Sequence, residues 1–188
     1  MIRDFAPEHV SPAVIDGLVD LARRAPSAGN SQGVAFVVLS GPDETSRYWD
    51  ATLPPERRAG FRWPGLVRAP VLVLVVCSSA LYVERYAEPD KAASGLGAAT
   101  DAWPVPYWWV DAGAAVQTLL LGAVDAGLGA CLFGPFAHEG AVRTALGIPD
   151  QWRVVGTVAI GRPLSRELGP SAHRPLRARD EVVHQGRW

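Results

Sequence analysis

Apolar residues recur at helical spacing in Val14, Ile15, Leu18, Val19, Leu21, Ala22 and Ala25, which predicts an amphipathic helix. Ser11-Pro12 supplies an N-cap followed by Pro at the first helical position. Arg23 and Arg24 suit the negative end of the helix dipole, and Pro26 stops the helix. A polar loop, Ser27 to Gly33, leads into Val34 to Leu39, which reads as a strand ended by Gly41-Pro42. Residues 43–66 read as a surface helix and loop. Ala69 to Cys77 is almost purely aliphatic and β-branched, the pattern of a buried strand.

Residues 84–106 hold Pro89, Gly95, Gly97, Pro104 and Pro106, and read as mostly irregular with room for one short helix. Val110 to Ala126 is Ala- and Leu-rich and apolar on nearly every side, so this helix belongs in the middle of a domain or in a subunit interface. A short strand, Gly127 to Phe133, follows it. A helix around His138 to Leu146 comes next and ends at Gly147 and Pro149. Arg153 to Ile160 reads as another strand, closed by Gly161-Arg162-Pro163. The tail from Ser165 is polar and Arg-rich, with a strand-like Glu181-Val182-Val183-His184. No repeat or linker divides the chain, so the expectation is one α+β domain over residues 1–188.

Composition narrows the class. In 188 residues, 18 basic and 19 acidic side chains leave a net charge of -1, which argues against nucleic-acid partners and a polybasic membrane surface. The uncharged stretches Ala69 to Val83 and Ala112 to Val124 are too short for the ~18–20 apolar residues of a membrane span. The N-terminus lacks the apolar run of a signal peptide, and Cys77 and Cys131 make no disulfide framework; both suit a reducing cytoplasm. Lys91 is the only Lys. Seven of the 16 aromatic residues are Trp, which either fills a core or lines a surface for flat ligands.

Several chemistries drop out. Gly127-Leu128-Gly129 follows a helix and opens a strand, the reverse of a dinucleotide-binding fingerprint. No phosphate loop ends in Gly-Lys-Ser/Thr, and His9, His138, His173 and His184 are scattered, so no metal set is expected. Cys131 sits in an apolar stretch, where a thiol is structural. What remains is a site without a side-chain nucleophile or base. Amides (Asn30, Gln32) share one loop, aromatics cluster from Trp103 to Trp109, and guanidinium groups gather at Arg174, Arg177 and Arg179. Such a set suits a nucleotide-like cofactor whose own ring carries the chemistry, or else a polar loop, a packed aromatic cluster and a solvated tail.

Arg23-Arg24-Ala25-Pro26-Ser27-Ala28-Gly29-Asn30-Ser31-Gln32 resembles the signature loop of the nitroreductase family. Asp111 to Gly134 is similar to that family's central helix and Gly-Leu-Gly turn. Leu146-Gly147-Ile148-Pro149, Val154-Val155 and Ile160-Gly161-Arg162-Pro163 resemble its later helix end and last core strand. Asp180 to Trp188 resembles the ending of several members. The matches run in order from Arg3 to Trp188.

The resemblance implies a central, mostly antiparallel sheet flanked by helices, and a homodimer with FMN in each interface cleft. NADH or NADPH would reduce the flavin at N5, and a nitroaromatic, a quinone or another flat acceptor would then take the electrons, with no catalytic side chain. Carried over, Pro26, Ser27, Ala28 and Asn30 would contact FMN from one subunit, and Gln32 would steady the loop. Phe133, Gly134 and Pro135 would lie along the ring, and Arg3, Arg174 and Arg177 would reach the phosphate. Arg62 or Arg68 would meet the pyrimidine edge. Trp103, Tyr107, Trp108, Trp109 and Phe136 would shape the substrate pocket or pack in the dimer core.

Two departures stand out. The chain begins inside the family's N-terminal Arg-Arg-Ser-x-Arg segment, of which Arg3 is the last basic position, so the flavin would have fewer phosphate contacts or the start lies upstream. Pro135 adjoins the place where members offer a backbone N–H to N5, and Pro has none. The alternatives are a flavin-dependent oxidase or desaturase of a peptide-like or secondary-metabolite substrate, and a flavin-binding subunit without turnover.

Overall fold

Strand β2 (Val71–Cys77) explains the uniform apolar run, because both of its faces are covered. Side chains alternate across a strand. Val71, Val73, Val75 and Cys77 therefore enter one core with α1 (Pro12–Ala22) and α6 (Tyr107–Asp125). Leu72, Leu74 and Val76 enter a second core with α2 (Pro42–Thr52) and α7 (Glu139–Leu146). The computed structural model describes residues 1–165 and 169–188. Its sheet has the order β1-β2-β4-β3, with β1 (Val34–Ser40), β3 (Gly129–Phe133) and β4 (Arg153–Gly161), and every pairing is antiparallel. The architecture is α+β with helices on both sides of the sheet. Near the N-terminus, Phe5 bridges to Pro163 and is fully buried.

Most elements fall where periodicity and breakers place them. Helix α1 stops at Ala22, three residues before the last periodic Ala25. Helix α6 starts at Tyr107 rather than Val110, since Pro106 takes the N-cap, and Gly127 at φ +71° turns the chain into β3. The segment expected as a surface helix and loop is only half superficial. Thr45, Tyr48 and Trp49 of α2 are buried, and two single-turn helices follow, α3 (Pro55–Arg58) and α4 (Pro64–Val67). Helix α5 (Ser79–Ala87) begins ahead of the stretch 84–106 expected to be irregular and enters only its first four residues, and within the rest of it lie 3-10 turns at Ala92–Ser94 and Thr100–Ala102.

The tail departs from its reading. Glu181 to His184 is not a strand: Arg179–Glu181 form a 3-10 turn, and Val182 and Val183 are exposed. A β-branched pair becomes a strand only beside another whose N–H and C=O groups it can pair. No strand runs beside this one among the described residues. No helix of the described residues is long and apolar enough to cross a membrane.

Candidate functional site

The loop between α1 and β1 holds two of the three non-glycine residues with positive φ among the described residues. Gly29, Asn30 and Gln32 lie at φ +60°, +57° and +51°, a left-handed conformation that costs energy for any residue with a Cβ. Local bonds fold it: Asn30 N–H donates to the Ser27 carbonyl (2.8 Å), Gln32 N–H to Ser27 Oγ (3.0 Å), and Ser31 Oγ–H to the Ala28 carbonyl (2.6 Å).

Two distant elements then hold it. From α6, Asp111 Oδ2 accepts the Ala28 N–H and the Tyr82 hydroxyl, each at 2.8 Å. From α5, Arg85 Nε donates to the Gly29 carbonyl (2.8 Å), while its other nitrogens grip Asp90 at 2.7 and 2.8 Å. The Tyr86 ring covers Gly29 so closely that a Cβ built there would lie 2.7 Å from it. A loop restrained in this way costs no further ordering when a ligand arrives.

In front of the loop lies a cavity of about 420 Å³, bordered by Pro26, Ser27, Asn30 and Gln32, by Arg23 and Arg24, and by Asp111 and Ala115. That volume falls in the ~300–1,000 Å³ range of small-molecule sites. Arg23 pairs with Asp20 at 2.6 Å, whereas Arg24 has no carboxylate partner among the described residues.

Two more cavities are lined by aromatic residues. One, about 300 Å³, is walled by Tyr48, Trp49, Phe61 and the turn Phe133–His138. There Trp49 stacks on Phe133 with centroids 5.6 Å and planes 6° apart, and burial pushes the Tyr48 hydroxyl up to about 12. The other, about 500 Å³, is walled by Tyr86, Trp103, Tyr107 and Ala28. Trp103 Nε1 donates to the Leu96 carbonyl at 2.9 Å, and its ring meets Tyr82, Tyr86 and Trp108 edge to face.

The expected cofactor residues thus fall into separate groups within one chain. Pro26, Ser27, Asn30 and Gln32 share the loop cavity, and Ala28 turns toward the Trp103 cavity. Phe133, Gly134 and Pro135 border the Trp49 cavity together with Phe136, which is 86 % exposed at φ +44°. Of the aromatics, Trp103 and Tyr107 line a cavity. Trp108 packs in the core against Tyr82, and Trp109 is partly exposed and borders none of the three. Arg3 lies over the Trp63 ring (5.1 Å), as does Arg62 (5.2 Å). Arg68 is engaged by Asp4 and the Phe5 carbonyl. Arg174 and Arg177 are exposed, and Arg177 pairs with Glu181 at 3.3 Å.

Sequence reasoning did not assign Asp111, Tyr82, Arg85 or Arg24 to the site, although Arg24 and Asp111 lie within the segments that carry the family resemblance. Asp111 did leave a signal, as one of only two charges (with Asp125 at the far end) in an apolar helical run, where a buried ionised group has to be satisfied. Cys77 and Cys131 are buried on opposite faces of the sheet, and burial pushes the Cys77 thiol up to about 12 and the Cys131 thiol upward. Neither is a thiolate at neutral pH. No cluster of metal ligands occurs among the described residues.

The chain combines a helix-flanked antiparallel sheet, a left-handed loop after α1, and a polar cavity in front of that loop. The "Nitroreductase family" profile matches residues 1–162, and the chain belongs to that family. It is 25 % identical over 190 residues to an Archaeoglobus fulgidus protein named provisionally as an NADH dehydrogenase/NAD(P)H nitroreductase, covering 100 % of this chain and 92 % of that one. It is 29 % identical over 186 residues to the 5,6-dimethylbenzimidazole synthase of Rhodospirillum rubrum, covering 92 % and 82 %. An FMN-dependent nitroreductase structure from Clostridium difficile R20291 superposes with a TM-score of 0.67 at 18 % identity, over 100 % of this chain and 94 % of that one.

Proposed function

We propose that this protein is a cytoplasmic, FMN-dependent NAD(P)H oxidoreductase that passes electrons to a flat acceptor such as a nitroaromatic or a quinone. The observation that carries the reading is the pre-shaped loop. Its strained backbone is held by Asp111 and Arg85, and Asn30, Gln32, Arg24 and Asp111 itself border a cavity of cofactor size. Such a wall positions a ring and its substituents and does no chemistry itself. The relatives' names, which include NAD(P)H nitroreductase and FMN-dependent nitroreductase, point the same way.

The residues present fit a flavin. Amides at Asn30 and Gln32 suit the hydrogen-bonding edges of a heterocycle, and free guanidinium groups suit a phosphate. When bound, FMN supplies the hydride exchange between nicotinamide and acceptor. The chain's part is to hold and screen it. The backbone at Gly134 supplies a donor beside Pro135, which has no N–H. Trp103 and Tyr107, with Phe136 at the other cavity, form aromatic walls for a planar acceptor.

Two copies complete the site in this reading. The loop residues and the Phe133–Phe136 turn border different cavities of one chain, so the turn of one copy faces the loop of the other. The apolar outer face of α6 supports this, with Leu121 61 % and Val124 68 % exposed beside Val110 and the Leu21 of α1. An apolar stripe of this kind marks an association surface.

The test is a visible spectrum of the purified protein with FMN, followed by anaerobic NADPH or NADH. Uptake of the flavin bands and their bleaching by a nicotinamide are expected. A protein that never takes up flavin overturns the reading. Bound flavin that neither nicotinamide bleaches removes the reductase and leaves the oxidase or the binding subunit.

A further inference from the structure

Asp111 is a carboxylate only 8 % exposed, and it has no ion pair among the described residues. Both of its protein hydrogen bonds fall on Oδ2, from the Ala28 N–H and the Tyr82 hydroxyl. Oδ1 has no donor among the described residues, although the side chain borders the loop cavity. Oδ1 is not one of the fully enclosed orphan atoms, so it stays open to the cavity, and a carboxylate oxygen so placed takes its remaining hydrogen bonds from whatever fills that space. The remaining lone pairs point to a donor that comes from the cavity.

We propose that Asp111 binds the ligand as well as the loop: Oδ1 accepts a hydrogen bond from an uncharged O–H or N–H of the molecule that fills the cavity. The assignment rests on the flavin reading, in which FMN offers both kinds of donor, hydroxyls on its side chain and an N–H on its ring. The same carboxylate repels a phosphate, which leaves the Arg24 rim of the cavity to the anionic end. A fixed negative charge beside the ring opposes the arrival of electrons, so Asp111 also lowers the reduction potential of what it holds.

The experiment compares D111N and Y82F with the unaltered full chain. FMN and lumiflavin, the ring without its polyol, are titrated by flavin fluorescence, and the midpoint potential of bound FMN is measured. In D111N the amide oxygen keeps the loop bonds while an N–H₂ donor replaces Oδ1 on the cavity side. FMN binding is expected to weaken about tenfold or more, the scale of one charge-assisted hydrogen bond, and the potential to rise. Loss of the effect with lumiflavin assigns the donor to the polyol, and its persistence assigns it to the ring; both support the proposal. Y82F leaves Oδ1 untouched and is expected to leave the potential unchanged.

A D111N protein with unaltered affinity and potential overturns the proposal, as does a Y82F effect equal to that of D111N, which would mean that Asp111 acts only through the loop. Should D111N fail to fold, D111E, whose carboxylate is displaced by one methylene, is read by the same criteria. An unaltered chain that takes up no flavin at all is a different failure: the cofactor reading then falls, and this assignment with it.

Discussion

The indole of Trp49 lies parallel to the ring of Phe133, 5.6 Å between centroids, and so ties α2 to the end of β3 where the Phe133–His138 turn begins. Trp49 is buried, and its Nε1 finds no acceptor among the described residues. The ring packing and the orphan N–H act in opposite directions. Trp49→Ala is expected to cost about 3–5 kcal/mol, the range for removing a large buried aromatic. Trp49→Phe keeps a stacking ring and deletes the unsatisfied donor, so its cost should stay below ~1.5 kcal/mol. Urea unfolding of the two variants checks the difference.

Gly29 and Gly17 separate conformation from packing. Gly29→Ala meets both a left-handed φ and the Tyr86 ring, so it should lower stability by about 1–3 kcal/mol and weaken flavin binding as the loop is displaced. Gly17 lies within α1 with open space around its Cα. Gly17→Ala should stabilise by about 0.5–1 kcal/mol and leave flavin binding unaltered. Thermal melts paired with FMN titrations read both.

Glu139 opens α7 and is held by Arg153 of β4 through bonds of 2.7 and 2.8 Å, with the Val154 N–H at 3.0 Å. The Arg153 hydrogen bonds hold its carboxyl below the usual range. A lowered folded value means stability that is present above the free Glu value of about 4.3 and is lost as pH falls through the folded one. Glu139→Gln should therefore be less stable than the parent at pH 7, by about 1–3 kcal/mol, with the gap closing below pH 4. Denaturant midpoints from pH 7 to pH 3 give the measurement.

Leu121→Glu, with Val124→Glu as its companion, places a charge on the exposed face of α6, where it is harmless to a monomer and repulsive between two copies. If two copies complete the site as proposed, sedimentation should show dimer giving way to monomer, with an unaltered far-ultraviolet spectrum and flavin lost in step. A variant that stays dimeric and keeps its flavin would move the interface away from α6.

Where a signal is local, the sequence carried it. The run Ala69 to Cys77 is apolar because both faces of β2 are buried, and the breakers Pro26 and Gly41-Pro42 bound the first loop and strand as expected. The polar loop 27–33 was visible as a loop, yet the reason for its shape was not. Ala28 and Asp111 are 83 residues apart, Tyr82 and Asp111 are 29 apart, and no periodicity relates them. The tail misled because Val182-Val183 has strand composition and no strand to pair with. Trp49 was placed in a surface segment because α2 is polar over most of its length and buries a single stripe.

The alternation along β2 has a genetic consequence. Leu74 and Val75 are neighbours in the chain, yet they belong to different interiors separated by the thickness of the sheet. A weakened Leu74 can be compensated only from its own side, by changes at Tyr48, Val142 or Ala159, whereas suppressors of a weakened Val75 will map to α1 and α6. Combined lesions at 74 and 75 should simply add, and those at 73 and 75 should interact. A saturation screen of this one strand would therefore sort its second-site suppressors into two spatial classes that alternate residue by residue.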